Sequence, residues 1–188
     1  MAEANAYYTL ADEFAKITAR SVFLTGKAGT GKTTFLRRLK EETQKQIAVV
    51  APTGVAAINA GGVTMHSFFQ LPFTPFVPTA EGRRNLISKI KMSTSRRKLM
   101  QELEMLVIDE ISMVRADVLD EVDAVLRYFR YNQAEPFGGL QVFFIGDMYQ
   151  LPPVVQGDEW NILSQFYQTP YFFHSKVIQQ CSPLYIEF

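Results

Sequence analysis

The chain has 188 residues, of which 47% are hydrophobic and 20% charged, so it suits one globular domain and not a disordered protein. Its 19 basic and 19 acidic residues cancel, so net charge alone does not indicate a polyanionic partner. Cys181 is the only cysteine, which excludes an internal disulfide and a multi-cysteine zinc site and favours a reducing compartment. No apolar run reaches the ~20 residues that span a membrane, and residues 1–14 lack the basic start of a signal peptide.

Short apolar runs bounded by turn residues alternate with segments at helical spacing. Residues 32–42 are predicted to form a helix, and 118–129 place apolar residues on one helix face that would pack on a sheet. Strands rich in Val and Ile and separated by helices indicate an α/β fold with a parallel sheet buried on both faces. The predicted strands are 21–26, 47–53, 105–110 and 142–147, with 183–188 as a fifth candidate.

The region between the second and third predicted strands is less regular. The stretch 71–78 is rich in Pro and Phe and is predicted to be an irregular loop. A basic segment follows it, with no acid between Glu81 and Glu102. Its charge favours either contact with phosphates or a solvated connection, and the composition leaves both open. The basic residues are Arg83, Arg84, Lys89, Lys91, Arg96, Arg97 and Lys98.

The segment GKAGTGKT, residues 26–33, fits the pattern G-x-x-x-x-G-K-[ST] between a predicted strand and a predicted helix. Its glycines let backbone N–H groups turn towards phosphates, and the helix N-terminus adds partial positive charge. Lys32 would reach the β- and γ-phosphates, and Thr33 would ligate Mg²⁺. The predicted nucleotide-binding residues are Gly26, Ala28, Gly29, Thr30, Gly31, Lys32, Thr33 and Thr34.

Two further polar clusters follow apolar runs. Asp109 and Glu110 end the third run, and because side chains alternate across a strand they are assigned different tasks. Asp109 would hold the Mg²⁺ shell, and Glu110 would polarise the attacking water. The alternative, that acids here only cap the next helix, fits Ser112 or Asp117 better. Past the fourth run, Gln150 precedes two prolines that fix φ and remove two donors, which core packing does not explain.

Five motifs occur in order along the chain and together resemble the first RecA-like domain of a superfamily-one DNA helicase. DEIS, GDxxQLPPV and PTGVAA followed by HSFF resemble in particular the Pif-one family, whose relatives include RecD and Dda. The resemblance covers roughly residues 20–175 and implies a P-loop NTPase domain with a central, mostly parallel sheet flanked by helices. The motifs are GKAGTGKT (26–33), APTGVAA (51–57), TMHSFF (64–69), VIDEISM (107–113) and GDMYQLPPV (146–154).

This resemblance implies a DNA helicase motor that binds ATP and Mg²⁺ and moves on single-stranded DNA, in the 5′-to-3′ direction. The full enzyme would also engage duplex or structured DNA junctions. The resemblance implies that Lys32, Glu110 and Gln150 are the catalytic residues. It also places Gln150 at the floor of the cleft, where it would sense the γ-phosphate and relay its loss to the bound DNA strand. It also implies roles in DNA repair and telomere maintenance, and a monomer that is not bound to a membrane.

The resemblance also assigns the DNA-binding side. Thr53 and the turn at Gly54 would contact phosphates of the single strand, as would Thr64 and His66. Phe68 or Phe69 would offer a surface on which a base stacks. A competing interpretation is structural, because an aromatic pair commonly belongs to the core and His66 could be a satisfied interior histidine.

Two departures from the family pattern stand out. Residues 1–20 contain no glutamine, so the residue that usually reads adenine is missing. The second RecA-like domain, with its arginine finger, is also absent from residues 1–188, so we expect the chain to be the first motor domain, which folds alone but hydrolyses little ATP. The expected location is the cytoplasm and nucleoid of a bacterium, or the nucleus or mitochondria of a eukaryote.

Two other classes of protein share the phosphate loop. A small-molecule nucleotide kinase would use the basic segment as a lid, but it has no evident use for GDMYQLPP. A non-catalytic nucleotide-binding module would need no acid such as Glu110 beside Asp109.

Overall fold

A parallel sheet of six strands, in the order β3-β2-β4-β5-β1-β6, forms the centre of the computed structural model, which describes residues 6–188. The α/β prediction and all five predicted strands are confirmed, and a two-residue edge strand, β3, was not predicted. The first five residues of the segment predicted not to be a signal peptide lie outside the described residues. The strands are β1 (Val22–Thr25), β2 (Ile47–Ala51), β3 (Val63–Thr64), β4 (Met105–Ile108), β5 (Gln141–Gly146) and β6 (Leu184–Glu187).

Helices cover both faces of this sheet. The predicted helix at 32–42 is confirmed, and within residues 6–188 no helix is both long and apolar enough to cross a membrane. Short 3-10 turns occupy Ile111–Met113, Pro136–Gly139 and Phe172–His174. The helices are α1 (Ala6–Ile17), α2 (Lys32–Glu42), α3 (Gly54–Ala60), α4 (Met65–Phe69), α5 (Ala80–Lys89), α6 (Thr94–Glu102), α7 (Ala116–Phe129), α8 (Gly157–Leu163) and α9 (Lys176–Cys181).

The alternation of side chains along β5 divides the core into two layers. Phe143 and Ile145 pack with α1 and α2, whereas Val142 and Phe144 pack with α7 and the helices around it. Every residue of β4 and β5 is buried, as expected for central strands of a parallel sheet covered on both faces. The sheet therefore separates the two core layers, and each layer packs on one of its faces.

The α7 helix buries carboxylates as well as the apolar face that its sequence predicts. Asp117, Asp120 and Asp123 accept backbone N–H groups from Phe76, from Lys176 and Val177, and from Phe137, respectively. These carboxylates hold the backbone of a loop, a 3-10 turn and the start of α9 against α7, because a buried backbone donor needs a partner. Neither Ser112 nor Asp117, the residues that the capping alternative fits better, caps this helix: its N-cap is Arg115, which makes no capping bond, and Asp117 accepts hydrogen bonds from Arg115 and from the Phe76 amide.

The basic segment forms helices α5 and α6, and most of its basic side chains are exposed, while the stretch 71–78 is irregular as predicted. Part of its charge serves the fold: Arg96 donates to the carbonyl of Ser67, and Lys98 pairs with Glu102 on its own helix. Arg83 and Arg84 make no such bond in the described chain.

Glu121 is the carboxyl group of α7 that lacks a hydrogen-bonding partner among the described residues, and it is only 2% exposed. Burial, reinforced by the charge of Asp117, raises the pKa of Glu121 to about 8. In the unfolded chain the group ionises near its ordinary pKa, so ionisation opposes folding increasingly as the pH rises from about 4.5 to 8.

We therefore expect Glu121→Gln to stabilise the protein by a few kcal/mol more at pH 8.5 than at pH 5, since about 1.4 kcal/mol accrues per pKa unit. Urea unfolding of both proteins at the two pH values measures this difference. Asp120→Asn on the same helix is the matched control, because its carboxylate accepts three donors. It should destabilise the fold at pH 8.5; an equal effect of Glu121→Gln at both pH values would show that Glu121 does not titrate as described.

Candidate active site

The loop between β1 and α2 has the backbone that a phosphate cradle requires. Gly31 is the N-cap of α2 with φ 102°, a left-handed conformation that side chains rarely adopt. A Cβ on Gly26 would lie 2.8 Å from the carbonyl oxygen of Phe188 and 2.7 Å from Thr30 Oγ1. The glycines thus serve both the curvature of the loop and its close packing against the end of β6.

Lys32 points back into this loop. Its Nζ donates to the carbonyl oxygens of Gly26 and Lys27, and Thr30 Oγ1 donates to the same Lys27 oxygen at 3.0 Å. Thr33 and Thr34 lie exposed in the first turn of α2. The loop is closed around the ammonium group, and the two threonine hydroxyls remain accessible from solvent.

The two acids after β4 leave the strand in different directions. The Asp109 amide donates to Val50 of β2 at 2.9 Å and so continues the sheet, whereas Glu110 has φ 52° and ψ 45°. A left-handed residue other than glycine costs about 1–3 kcal/mol and is often found at functional sites. Asp109 Oδ1 accepts the Glu110 amide at 3.0 Å, which fixes the turn between the two carboxylates.

Charges from three strand ends meet at these acids. Burial raises the pKa of Asp109, and the Lys32 ammonium opposes that rise. Burial also raises the pKa of Glu110, as do the negative charges of Asp109 and Asp147, while Lys32 again lowers it. A carboxyl group whose pKa is raised by burial and that lies beside a cation has the properties of a general base.

Asp147 is the site residue that the sequence analysis missed. It is 6% exposed at the end of β5, and its Oδ1 accepts the Tyr149 amide at 3.0 Å. The preceding Gly146 permits this arrangement, because a Cβ there would lie 2.9 Å from Ile111 Cγ2 and 3.1 Å from the Ile111 amide nitrogen. An acid directly after a buried strand and a glycine was a signal in the sequence that could have identified it.

Gln150 is exposed beside Asp147 in the described chain. Its Nε2 donates to Asp147 Oδ2 at 3.3 Å, and its backbone N–H donates to the Asp147 carbonyl at 3.1 Å. Because the charge of Asp147 acts on Glu110, Gln150 is connected to Glu110 through Asp147.

The predicted DNA-contacting threonines cap helices. Thr53 Oγ1 accepts the Ala56 amide at the start of α3, and Thr64 Oγ1 accepts the Ser67 amide at the start of α4. Thr53, His66 and Pro152 line one cavity of about 180 Å³, so the segments after β2, after β3 and after β5 meet on one surface. Gly54, the first residue of α3, is exposed beside Thr53.

The aromatic residue presented to solvent on this surface is Phe73. It is 86% exposed and stacks on the His66 ring with centroids 4.8 Å apart and an interplanar angle of 4°. Phe69 is fully buried, and Phe68 is partly buried against the core and packs edge-on to Phe69. Of the three rings, Phe73 is therefore the most exposed and Phe69 the least. Burial, followed by the charge of Arg115, lowers the pKa of His66.

Comparison with known proteins agrees with this geometry. The family model described as PIF1-like helicase matches residues 2–181. ATP-dependent DNA helicase PIF1 of Candida albicans is 43% identical over 141 residues, which are 72% of this chain and 15% of the relative. The human protein of the same name is 37% identical over 177 residues, 92% of this chain and 25% of the relative. The chain thus spans a quarter or less of either curated relative.

A solved structure matches nearly the whole chain. The crystal structure of Pif1 helicase from Bacteroides, in complex with ADP-AlF3 and single-stranded DNA, has a TM-score of 0.87 and 44% sequence identity. The match covers 97% of this chain and 41% of the Bacteroides chain.

Proposed function

The chain belongs to the PIF1-like helicase family, and from this premise we propose that residues 1–188 form the first RecA-like domain of an ATP-driven DNA helicase. The observation that carries the proposal is the meeting of Lys32, Asp109, Glu110 and Asp147 at the carboxyl ends of β1, β4 and β5. That edge of an open α/β sheet is where ligands bind. DNA repair and telomere maintenance are cellular roles that fit the proposal.

The residues present fit a nucleotide with Mg²⁺. Within residues 6–188 no cluster of three or more His, Cys, Asp and Glu side chains could hold a metal ion, and Mg²⁺ commonly takes only one or two protein ligands beside substrate phosphates. Thr33 and Asp109 would be those ligands, and the 26–33 loop would hold the phosphates. ATP supplies the phosphoryl group whose transfer to water drives the motor.

The residues of the site would have different roles in ATP hydrolysis. Lys32 would exchange its two carbonyl partners for phosphate oxygens. Glu110, with a raised pKa, would orient the attacking water and accept its proton. Asp147 would keep Glu110 basic and hold Gln150, so that a change at the nucleotide reaches the 150–154 segment through a hydrogen bond.

Single-stranded DNA is the proposed partner of the surface formed by Thr53, Gly54, Thr64, His66 and Phe73. The threonine side chains cap helices, so the exposed helix starts would present N–H groups to phosphates. Stacking on His66 orients Phe73 for a base. The chain would act as a monomer, move 5′-to-3′, and meet duplex or structured DNA junctions as part of the full enzyme.

Other classes fit less well. A nucleotide kinase would need the basic segment as a mobile lid, but helix α6 is bonded to α4 through Arg96 and to the end of α7 through Gln101. A passive nucleotide-binding module would leave the raised pKa of Glu110 without a task.

The nucleotide site is tested by two variants with opposite expected results. Lys32→Ala should weaken ADP binding about ten- to hundredfold, because charge-assisted hydrogen bonds contribute about 1.5–3 kcal/mol. Glu110→Gln should keep the wild-type affinity, since Glu110 is assigned to the water and not to the nucleotide. Isothermal titration with ADP and Mg²⁺ measures both, and equal losses would show that the two roles are wrongly assigned.

The motor function is tested by coupling between the two ligands. A non-hydrolysable ATP analogue should change the affinity for a fluorescent oligothymidylate, and the oligonucleotide should change the analogue's affinity by the same factor. Gln150→Ala should reduce that factor while each ligand alone binds as before. A kinase would not bind the oligonucleotide, and a passive module would bind both without coupling; either result would contradict the proposal.

The DNA surface is tested with Phe73→Ala, which should weaken oligothymidylate binding at least fivefold, because one base–aromatic stack contributes about 1–3 kcal/mol. Tyr131→Ala is the matched control, since Tyr131 is an equally exposed aromatic residue (82%) beyond the far end of α7. Fluorescence anisotropy measures the affinity, and thermal unfolding checks that both variants fold. Equal affinities of the two variants would exclude Phe73 from the DNA surface.

A further inference from the structure

A second cavity lies away from the candidate active site, between α5, α7 and the irregular segment 72–79. Its volume is about 280 Å³, the size of a small-molecule site. Its apolar lining includes Pro75, Phe76 and Leu86. Its polar lining includes the side chains of Asn85, Lys89 and Glu121.

Glu121 is the feature of this cavity that packing does not explain. The three other buried carboxyl groups of α7 each accept at least one backbone N–H, yet no described residue donates a hydrogen bond to Glu121. The carboxyl oxygens of Glu121 are not among the fully enclosed polar atoms that lack a partner, although the residue as a whole is only 2% exposed. Because Glu121 lines the cavity, its carboxyl group opens into that space, where water or a bound ligand supplies its hydrogen-bonding partner.

The charges around Glu121 come from both helices. Asp117 on α7 raises its pKa further beyond the effect of burial, while Arg115 before α7 and Lys89 on α5 lower it. Glu81, at the start of α5, also lines the cavity. With a pKa of about 8, Glu121 is neutral at pH 7 and presents an O–H donor.

We propose that this cavity binds a small organic carboxylate, with Glu121 and Lys89 as its recognition residues. The ligand's carboxylate accepts a hydrogen bond from the Glu121 carboxyl group and is neutralised by the Lys89 ammonium group. Its apolar body packs on Pro75, Phe76 and Leu86. This site is separate from the nucleotide and DNA surfaces and does not depend on the function proposed for them.

An anionic ligand suits these groups better than an amine. An amine would have to pair with an ionised Glu121, whose ionisation is opposed by burial and by Asp117. It would also place a second cation beside Lys89. A carboxylate meets a proton donor and a cation, which compensates its desolvation.

Sodium benzoate is the probe, with benzamide and benzylamine as its neutral and cationic counterparts. We expect benzoate to shift the methyl resonances of Val77 and Leu86, which line the cavity, with saturation, and the two counterparts to bind at least tenfold more weakly. The methyl signals are observable at pH 6.5 and 9.0. Benzoate should bind at least threefold more weakly at pH 9.0, because Glu121 ionises between these values.

Four variants of the complete chain assign the recognition to the named groups. Glu121→Leu and Lys89→Gln should each weaken benzoate binding at least fivefold. Glu121→Gln keeps a donor but cannot titrate, so it should bind benzoate with the same affinity at both pH values. Arg84→Gln removes one positive charge from the same helix but does not line the cavity, and it should bind like the wild type.

Three results would overturn the proposal. They are the absence of saturable shifts at Val77 and Leu86, tighter binding of benzylamine than of benzoate, and unchanged benzoate affinity in Glu121→Leu with native methyl spectra. The titration contains neither nucleotide nor DNA, so failure of the proposed motor function would leave its outcome unaffected.

Discussion

The parallel arrangement of β4, β5 and β1 is the constraint on which the site depends. Parallel strands place their carboxyl ends at the same edge, and here Thr25 pairs with Gly146 and Ile108 with Phe144. The residues that follow each strand therefore meet, although they are more than 30 positions apart along the chain. Burial of these strands on both faces holds the edge in place, because a shift in register would disturb the close packing of both core layers.

The close packing of Gly146 and Ile111 converts that shared edge into a defined site. The turn after β4 rests against the end of β5 with no room for a Cβ between them. This contact places Glu110 near Asp147, and the resulting repulsion helps to raise the pKa of Glu110. The contact between Gly146 and Ile111 thus accounts both for the need for a glycine and for the effect of Asp147 on the pKa of Glu110. The left-handed backbone of Glu110 is part of the same turn.

Helix α7 holds neighbouring parts of the backbone in place through its buried carboxylates. Its carboxylates accept backbone N–H groups from the irregular segment 71–78, from the 3-10 turn Pro136–Gly139 and from the start of α9. Phe73 lies in the 71–78 segment, three residues before Phe76, whose backbone N–H is held by the buried carboxylate of Asp117. Such a bond is strong only while the carboxylate stays buried and ionised.

The sequence by itself determined the α/β class, the five principal strands, the phosphate loop and the two acids after β4. These follow from local patterns: apolar runs between turn residues, and glycines where φ must be positive. Tertiary structure alone decided which aromatic residue is exposed, because Phe68, Phe69 and Phe73 are chemically alike and differ only in what packs on them. It also decided that the charge of Asp147 acts on Glu110, that Gln150 is bonded to Asp147, and that Glu121 lines a cavity and accepts no hydrogen bond from a described residue. Those outcomes depend on contacts between residues distant in the chain, which set burial and charge and which no local pattern encodes.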